Sequence, residues 1–304
     1  MTRHESGERA GFHELPLVLF TGFSVAGAGV GAAHFLLACL GWVPWVPPSE
    51  MTTLILVLVA LGLLFSAGHL GRPFRSPLAL LRSGRSSLSN EVLAVGLVLV
   101  ASLLSATLPV GHILMALSGV ATLVSSVLLL LALGQVYHLP GQLTWSGPAR
   151  IHPLVLGLAF GLTLLMGTLP MGTRARSEIL VLVLLSIDGL LVWERARRIG
   201  NALEWGIPAQ RRFISHRGLA FTLRILLGIL LPAGALIRGW PELAGLSLFM
   251  NLLLDRLLFY GFAVRRNTES EVMRVEAALR AGPESDSPVG TPDPIPTSIQ
   301  ANEY

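Results

Sequence analysis

Residues 112–133 have the sequence HILMALSGVATLVSSVLLLLAL, and this stretch decides the fold class. It contains no Asp, Glu, Lys or Arg over the roughly 20 residues that a helix needs to cross a bilayer. Seven other mostly apolar stretches have similar length. Hydrocarbon offers no water to unpaired backbone groups, and the stretches lack the alternation of barrel strands, so all eight are predicted to be helices. The other seven are residues 15–40, 51–70, 89–109, 151–169, 177–194, 219–238 and 243–262.

The composition of the whole chain agrees with a membrane protein. Of 304 residues, 52% are hydrophobic and 13% are charged, whereas an ordinary soluble domain has about 25% charged residues. We therefore predict an all-α membrane protein, a bundle of eight transmembrane helices within residues 1–266. Residues 267–304 form an acidic, Pro- and Ser-rich tail that is predicted to be mostly disordered.

The arginines predict the topology. All 22 basic residues are arginine, and they concentrate in the loops after the second and sixth segments, whereas the loops after the first and third have none. By the positive-inside rule, both termini then lie in the cytoplasm. An arginine-rich face that docks an acidic partner is the alternative interpretation. The arginines concerned are Arg72, Arg75, Arg82, Arg85, Arg195, Arg197, Arg198, Arg211, Arg212 and Arg217.

Most ionisable side chains in or beside the apolar segments fall on the surface predicted to be cytoplasmic. They come from segments far apart in the sequence, and no single local structural need gathers them. The pattern therefore predicts a proton-handling site at one membrane surface. Its members are His13, Glu14, His69, Arg72, Glu91, Asp188, Glu194, Arg224, Asp255 and Arg256.

Two of these residues flank one short loop. His69 ends the second segment ahead of Gly71 and Pro73, which places its imidazole at the membrane boundary. A neutral imidazole accepts a proton from a quinol hydroxyl, although capping of helix-end carbonyls explains the residue equally well. Glu91 opens the third segment, where Ser89 as N-cap and the helix dipole favour an acid. The alternative role for Glu91 is a proton relay.

Arg224 and Arg256 lie inside apolar segments, where an unpaired guanidinium costs several kcal/mol. Each therefore needs an acidic partner, a cage of carbonyl groups or a bound ligand. Asp255 is adjacent to Arg256 in sequence and is expected to point to a different side of the helix. Asp188 or Glu14 is the expected partner instead.

The chain has few residues that could hold a redox cofactor. Its single cysteine, Cys39, cannot by itself form a disulfide, hold an iron–sulfur cluster or attach a c-type haem. A b-type haem needs paired histidines on facing helices at one depth. His13 and His69 match in depth, but His34 and His112 belong to the opposite surface. We expect no haem, no iron–sulfur cluster and no metal site in this chain.

The same residues resemble those of the membrane anchor subunits of bacterial dimethyl sulfoxide reductases, an eight-helix family. The eighth segment departs from the family pattern, because relatives usually have a glutamate where Leu252 stands and a glycine where Asp255 stands. The shared motifs are Phe12-His13-Glu14-Leu15-Pro16-Leu17 with Phe20-Thr21, His69-Leu70-Gly71-Arg72-Pro73, Leu88-Ser89-Asn90-Glu91, Arg224, and Arg256 with Phe259-Tyr260-Gly261.

The resemblance implies a multi-pass subunit of the bacterial cytoplasmic membrane that binds and oxidises menaquinol without a redox centre of its own. It implies that electrons pass to a four-cluster iron–sulfur subunit, which supplies a molybdopterin catalytic subunit. His69 and Glu91 are the residues that the family ties to quinol oxidation. The expected quinol-binding residues are His13, Arg72, Arg224, Arg256 and Tyr260.

The sequence is also consistent with two alternative functions. A related anchor runs in the opposite direction and reduces quinone with electrons from its partner subunits. A secondary transporter for a small anion is less favoured, because its polar groups should lie near the bilayer midplane beside broken helices. A nucleic-acid partner is not expected.

Overall fold

A computed structural model describes residues 15–45, 47, 49–69, 87–108, 113–135, 150–202 and 217–261. In these residues the chain forms eight helices and no strand. His13, Glu14, Arg72 and the predicted tail lie outside the described residues. The helices are α1 (Leu15–Cys39), α2 (Ser49–His69), α3 (Ser87–Thr107), α4 (Ile113–Gln135), α5 (His152–Leu165, extended by a 3-10 turn Met166–Thr168), α6 (Met171–Ala202), α7 (Arg217–Ile225, a π-helical segment Leu226–Leu230, then Leu231–Ile237) and α8 (Pro241–Gly261).

α1 is the central helix of the bundle. It is buried on all sides and packs against α2, α4, α5 and α8, as expected for a helix that is apolar around its whole circumference. Its closest approach is to α5, where a Cβ on Gly29 would lie 2.1 Å from the carbonyl oxygen of Gly157. Only glycine lets the two backbones come this close.

The outward faces of the helices are apolar, whereas hydroxyl side chains lie between α3 and α4. On α3, Leu97, Val100 and Leu104 are exposed at helical spacing. Between α3 and α4, the Ser105 hydroxyl donates to the Ser118 hydroxyl at 3.0 Å. Small hydroxyl residues that bond across a helix pair are typical of packing inside a bilayer, so this half of the bundle presents its apolar surface to lipid.

Six of the eight helices, α1 to α4, α7 and α8, are long and apolar enough to cross a membrane. α5 with its 3-10 turn is apolar but shorter, and α6 carries Glu178, Asp188 and Glu194 within its apolar part. The prediction of eight helices is confirmed, and all ends except those of α6 lie within two residues of the predicted ends. That α5 and α6 also cross the membrane stays a prediction.

α6 is longer than the predicted segment 177–194. It has 32 residues, or roughly 48 Å at 1.5 Å per residue. Its additional turns are polar and are stabilised by ion pairs one turn apart, from Arg174 to Glu178 at 3.2 Å and from Arg198 to Glu194 at 2.8 Å. An apolar segment marks only the part of a helix that lies in hydrocarbon, so hydropathy underestimated the length of α6.

α7 contains a π-helical segment, Leu226–Leu230. Pro232 has no N–H to donate to the carbonyl of Gly228, so the regular hydrogen-bond pattern cannot continue through it. The Ser247 hydroxyl of α8 donates to the carbonyl of Leu227 at 2.6 Å. α7 is distorted but continuous, unlike the broken helices expected of the transporter alternative.

Candidate functional site

Seven polar side chains from α5, α6, α7 and α8 form one buried group, which we call the charged cluster. None of them is more than 6% exposed, and most are linked by hydrogen bonds or ion pairs. The members are His152 on α5, Asp188 and Arg195 on α6, Arg224 on α7, and Asn251, Asp255 and Arg256 on α8.

Arg224 joins α7 to both neighbouring helices. Its Nη1 and Nη2 donate to the two carboxylate oxygens of Asp188 at 3.2 and 3.0 Å, and Nη1 also donates to Oδ1 of Asn251. Its Nε lies 3.4 Å from Oδ1 of Asp255. Paired contacts between a guanidinium and a carboxylate are among the strongest hydrogen bonds in proteins, so Arg224 has the acidic partner that its burial requires.

Asp255 is the second centre of the charged cluster. Its Oδ1 accepts from Nη1 of Arg195 at 3.0 Å, and its Oδ2 accepts from Nε of Arg256 at 3.1 Å and from Nη2 of the same residue. The predicted pairing of Arg256 with Asp188 is therefore wrong. Adjacent residues diverge at Cβ, but the long arginine stem allows its guanidinium to fold back to the neighbouring carboxylate. Glu14, the other predicted partner, lies outside the described residues.

The sequence pattern placed Asp188, Arg224, Asp255 and Arg256 at one surface, but it did not predict three other members of the charged cluster. Arg195 follows Asp188 by seven residues, so both lie on one face of α6. Asn251 precedes Asp255 by one helical turn and lies on the same face of α8. These spacings could have found both residues. His152, the first residue of α5, has no comparable signal, although its Nδ1 lies 3.3 Å from Asp188 without hydrogen-bond geometry.

Glu91 is a separate buried acid. It is 1% exposed, and its Oε1 has no hydrogen-bond partner among the described residues. The predicted N-cap at Ser89 is wrong, because α3 begins at Ser87 and no acidic residue lies in its first turn. The helix dipole falls off within the first turn. Capping therefore does not explain a carboxyl group at this position.

Two other predicted site residues, His69 and Tyr260, belong to helices that the structure describes. His69 is the last residue of α2, which packs against α3, and its side chain lies outside the described part of the chain. Tyr260 is buried, with its ring 5.3 Å from that of Phe259, beside Val18 of α1. Within the described residues, neither a hydrogen bond nor an ion pair joins Glu91 to the charged cluster.

A family model described as DMSO reductase anchor subunit (DmsC) matches residues 9–192. The match covers α1 to α5 and the larger part of α6, including His69 and Glu91, and it ends before Arg224 and Arg256. No curated protein matches the chain.

Proposed function

Because the chain belongs to the DMSO reductase anchor subunit family, we propose that it is the part of such a complex that takes electrons from quinol in the membrane. In this proposal the chain binds menaquinol in the bacterial cytoplasmic membrane and oxidises it to menaquinone. The two electrons pass to a four-cluster iron–sulfur subunit and then to a molybdopterin catalytic subunit. The two protons pass to side chains of this chain and then to water.

Glu91 is the observation that carries the proposal. A buried carboxyl oxygen without a partner costs free energy, so such groups call for an explanation. Among the described residues Glu91 is neither capped nor held in an ion pair. A group that takes up and releases protons cannot be locked to an arginine, as Asp188 and Asp255 are. The isolation of Glu91 therefore supports a role in proton transfer.

His69 is proposed as the first proton acceptor. It ends α2 next to the loop that leads to α3, and the family match covers both residues. In its neutral form the imidazole accepts a proton from the quinol hydroxyl, and Glu91 relays a proton towards water. His13, Arg72 and Tyr260 remain the proposed contacts to the quinol ring.

Arg224 and Arg256 are assigned differently from the sequence-based expectation. Asp188 and Asp255 already engage both guanidiniums inside the charged cluster. We propose that these two arginines organise α6, α7 and α8 instead of binding the quinol.

The test compares two activities of the assembled complex. His69→Ala should abolish oxidation of a soluble menaquinol analogue. Glu91→Gln should slow that oxidation by roughly a hundredfold, the scale of a general acid–base contribution, while the quinol still binds. Electron donation from an artificial dye directly to the partner subunits should persist in both variants, because it bypasses the quinol.

Glu50→Gln is the matched control, since Glu50 is an exposed carboxylate in the first turn of α2. It should oxidise quinol at the wild-type rate. Near-normal quinol oxidation by an assembled His69→Ala complex would show that His69 acts only as a helix cap. Equal rates of quinol oxidation for Glu91→Gln and Glu50→Gln would show that Glu91 takes no part in the reaction.

A further inference from the structure

The charged cluster contains more positive charge than it can balance internally. Three buried guanidiniums face two buried carboxylates, so the arginines and carboxylates together carry a net charge of 3 − 2 = +1. A net charge is expensive in the low-dielectric interior of a membrane protein. Among the described residues, no third carboxylate lies in the charged cluster.

Hydrogen bonding shows the same surplus. Both oxygens of Asp188 and of Asp255 accept from arginine. In contrast, Nε of Arg195, Nη1 of Arg256 and Nδ2 of Asn251 have no hydrogen-bond partner among the described residues. Both ring nitrogens of His152 are also without a hydrogen-bond partner in this part of the chain, and at least one of them carries a hydrogen. Donors therefore predominate among the unmatched atoms, and a negatively charged group with several acceptor oxygens would satisfy these donors and the charge together.

The position of the charged cluster indicates which kind of negatively charged group could reach it. His152 begins α5, while Asp255 and Arg256 lie in the last two turns of α8. If the helices alternate in direction, the start of α5 and the end of α8 reach the same membrane surface. Phospholipid phosphates line that surface, and basic pockets between transmembrane helices there bind phosphate headgroups. Guanidinium groups also match phosphate geometry.

We propose that the charged cluster binds one phosphate-type oxyanion through Arg195, Asn251 and Arg256. The oxyanion comes from an anionic phospholipid headgroup or from soluble phosphate. This site is separate from the proposed quinol site and does not depend on it.

The experiment uses the full chain, with any subunits that remain bound to it, in maltoside micelles that contain no phosphate. Thermal unfolding is followed while inorganic phosphate or phosphatidylglycerol is added. The melting temperature should rise with at least one of them. A rise with phosphatidylglycerol alone identifies a lipid headgroup, and a rise with inorganic phosphate identifies a soluble oxyanion.

Two variants test the reason for binding. Arg256→Gln removes the surplus charge and a donor, so the concentration of anion needed for half of the effect should increase roughly tenfold or more. Asn251→Asp adds a third carboxylate inside the charged cluster. Its melting temperature without anion should equal or exceed that of the wild type, and added anion should no longer raise it.

Arg197→Gln is the control for total charge, because Arg197 is 64% exposed and lies outside the charged cluster. Its response should match the wild type. No response of the wild type to either anion would overturn the proposal, since ordered water or protein groups would then fill the site. An Asn251→Asp variant that responds like the wild type would also overturn it, and this holds even if Arg256→Gln does not fold.

Discussion

Replacing Asp255 by asparagine should destabilise the bundle more than any other single loss of charge in the described residues. Asp255 is fully buried and faces the guanidiniums of Arg195, Arg224 and Arg256. Asp255→Asn preserves the shape of the side chain but leaves three guanidiniums with one carboxylate. The net charge of the charged cluster then rises from +1 to 3 − 1 = +2.

The expected cost follows from the number of partners. Removing one partner of a buried ion pair costs about 3–5 kcal/mol, because the other charge stays buried and unpaired. Asp255 serves three arginines, so the loss should reach the upper part of that range. Asp255→Asn with Arg256→Gln returns the net charge to +1, and this double variant should recover part of the lost stability.

The assay is unfolding of the purified chain in mixed micelles of maltoside and increasing dodecyl sulfate, which gives the free energy of unfolding of each variant. Glu178→Gln is the control, since it breaks a partly exposed pair with Arg174 and should cost less than about 1 kcal/mol. If Asp255→Asn lies within about 1 kcal/mol of the wild type, the charged cluster does not hold α6, α7 and α8 together.

Two further outcomes are expected. Gly29→Leu should prevent close packing of α1 on α5 and reduce the amount of folded protein, as measured by size-exclusion chromatography, whereas Gly96→Ala, which meets open space, should behave like the wild type. In labelling with a membrane-impermeant thiol reagent, single cysteines at Arg75 and Arg211 should react from one side of the membrane and the native Cys39 from the other. Labelling of positions 75 and 211 from opposite sides would contradict the eight-span topology.

The positions of the helices could be predicted from the sequence because the bilayer imposes a simple condition on each helix. A stretch such as residues 112–133 must be long and apolar, and α4 accordingly begins and ends within two residues of the prediction. The condition does not give the full length of α6, because the polar turns at both ends of that helix carry no apolar signal. It also does not say which helix lies at the centre, since that depends on the close approach of glycines such as Gly29 and Gly157.

The site was predicted in outline only. Asp188, Arg224 and Asp255 could be assigned to one surface from the sequence, because charges inside apolar segments are rare and their positions are easily recognised. The pairing could not be derived, because it depends on the rotation of each helix about its axis and on the reach of arginine. His152 was missed for the same reason. Only the packing of α5 against α6 turns its ring towards Asp188.

The central position of α1 has a consequence for biogenesis. α1 precedes the other seven helices in the chain, so the ribosome completes it before any of its neighbours exist. Until α5 arrives, the face of α1 that carries Gly29 lies against lipid or the insertion machinery instead of against Gly157. The ring contact of Phe23 with Phe249 at 5.5 Å forms only when α8, synthesised after the other seven, has entered the membrane. The interior of this bundle is therefore completed only after the last helix that packs against α1 has been synthesised.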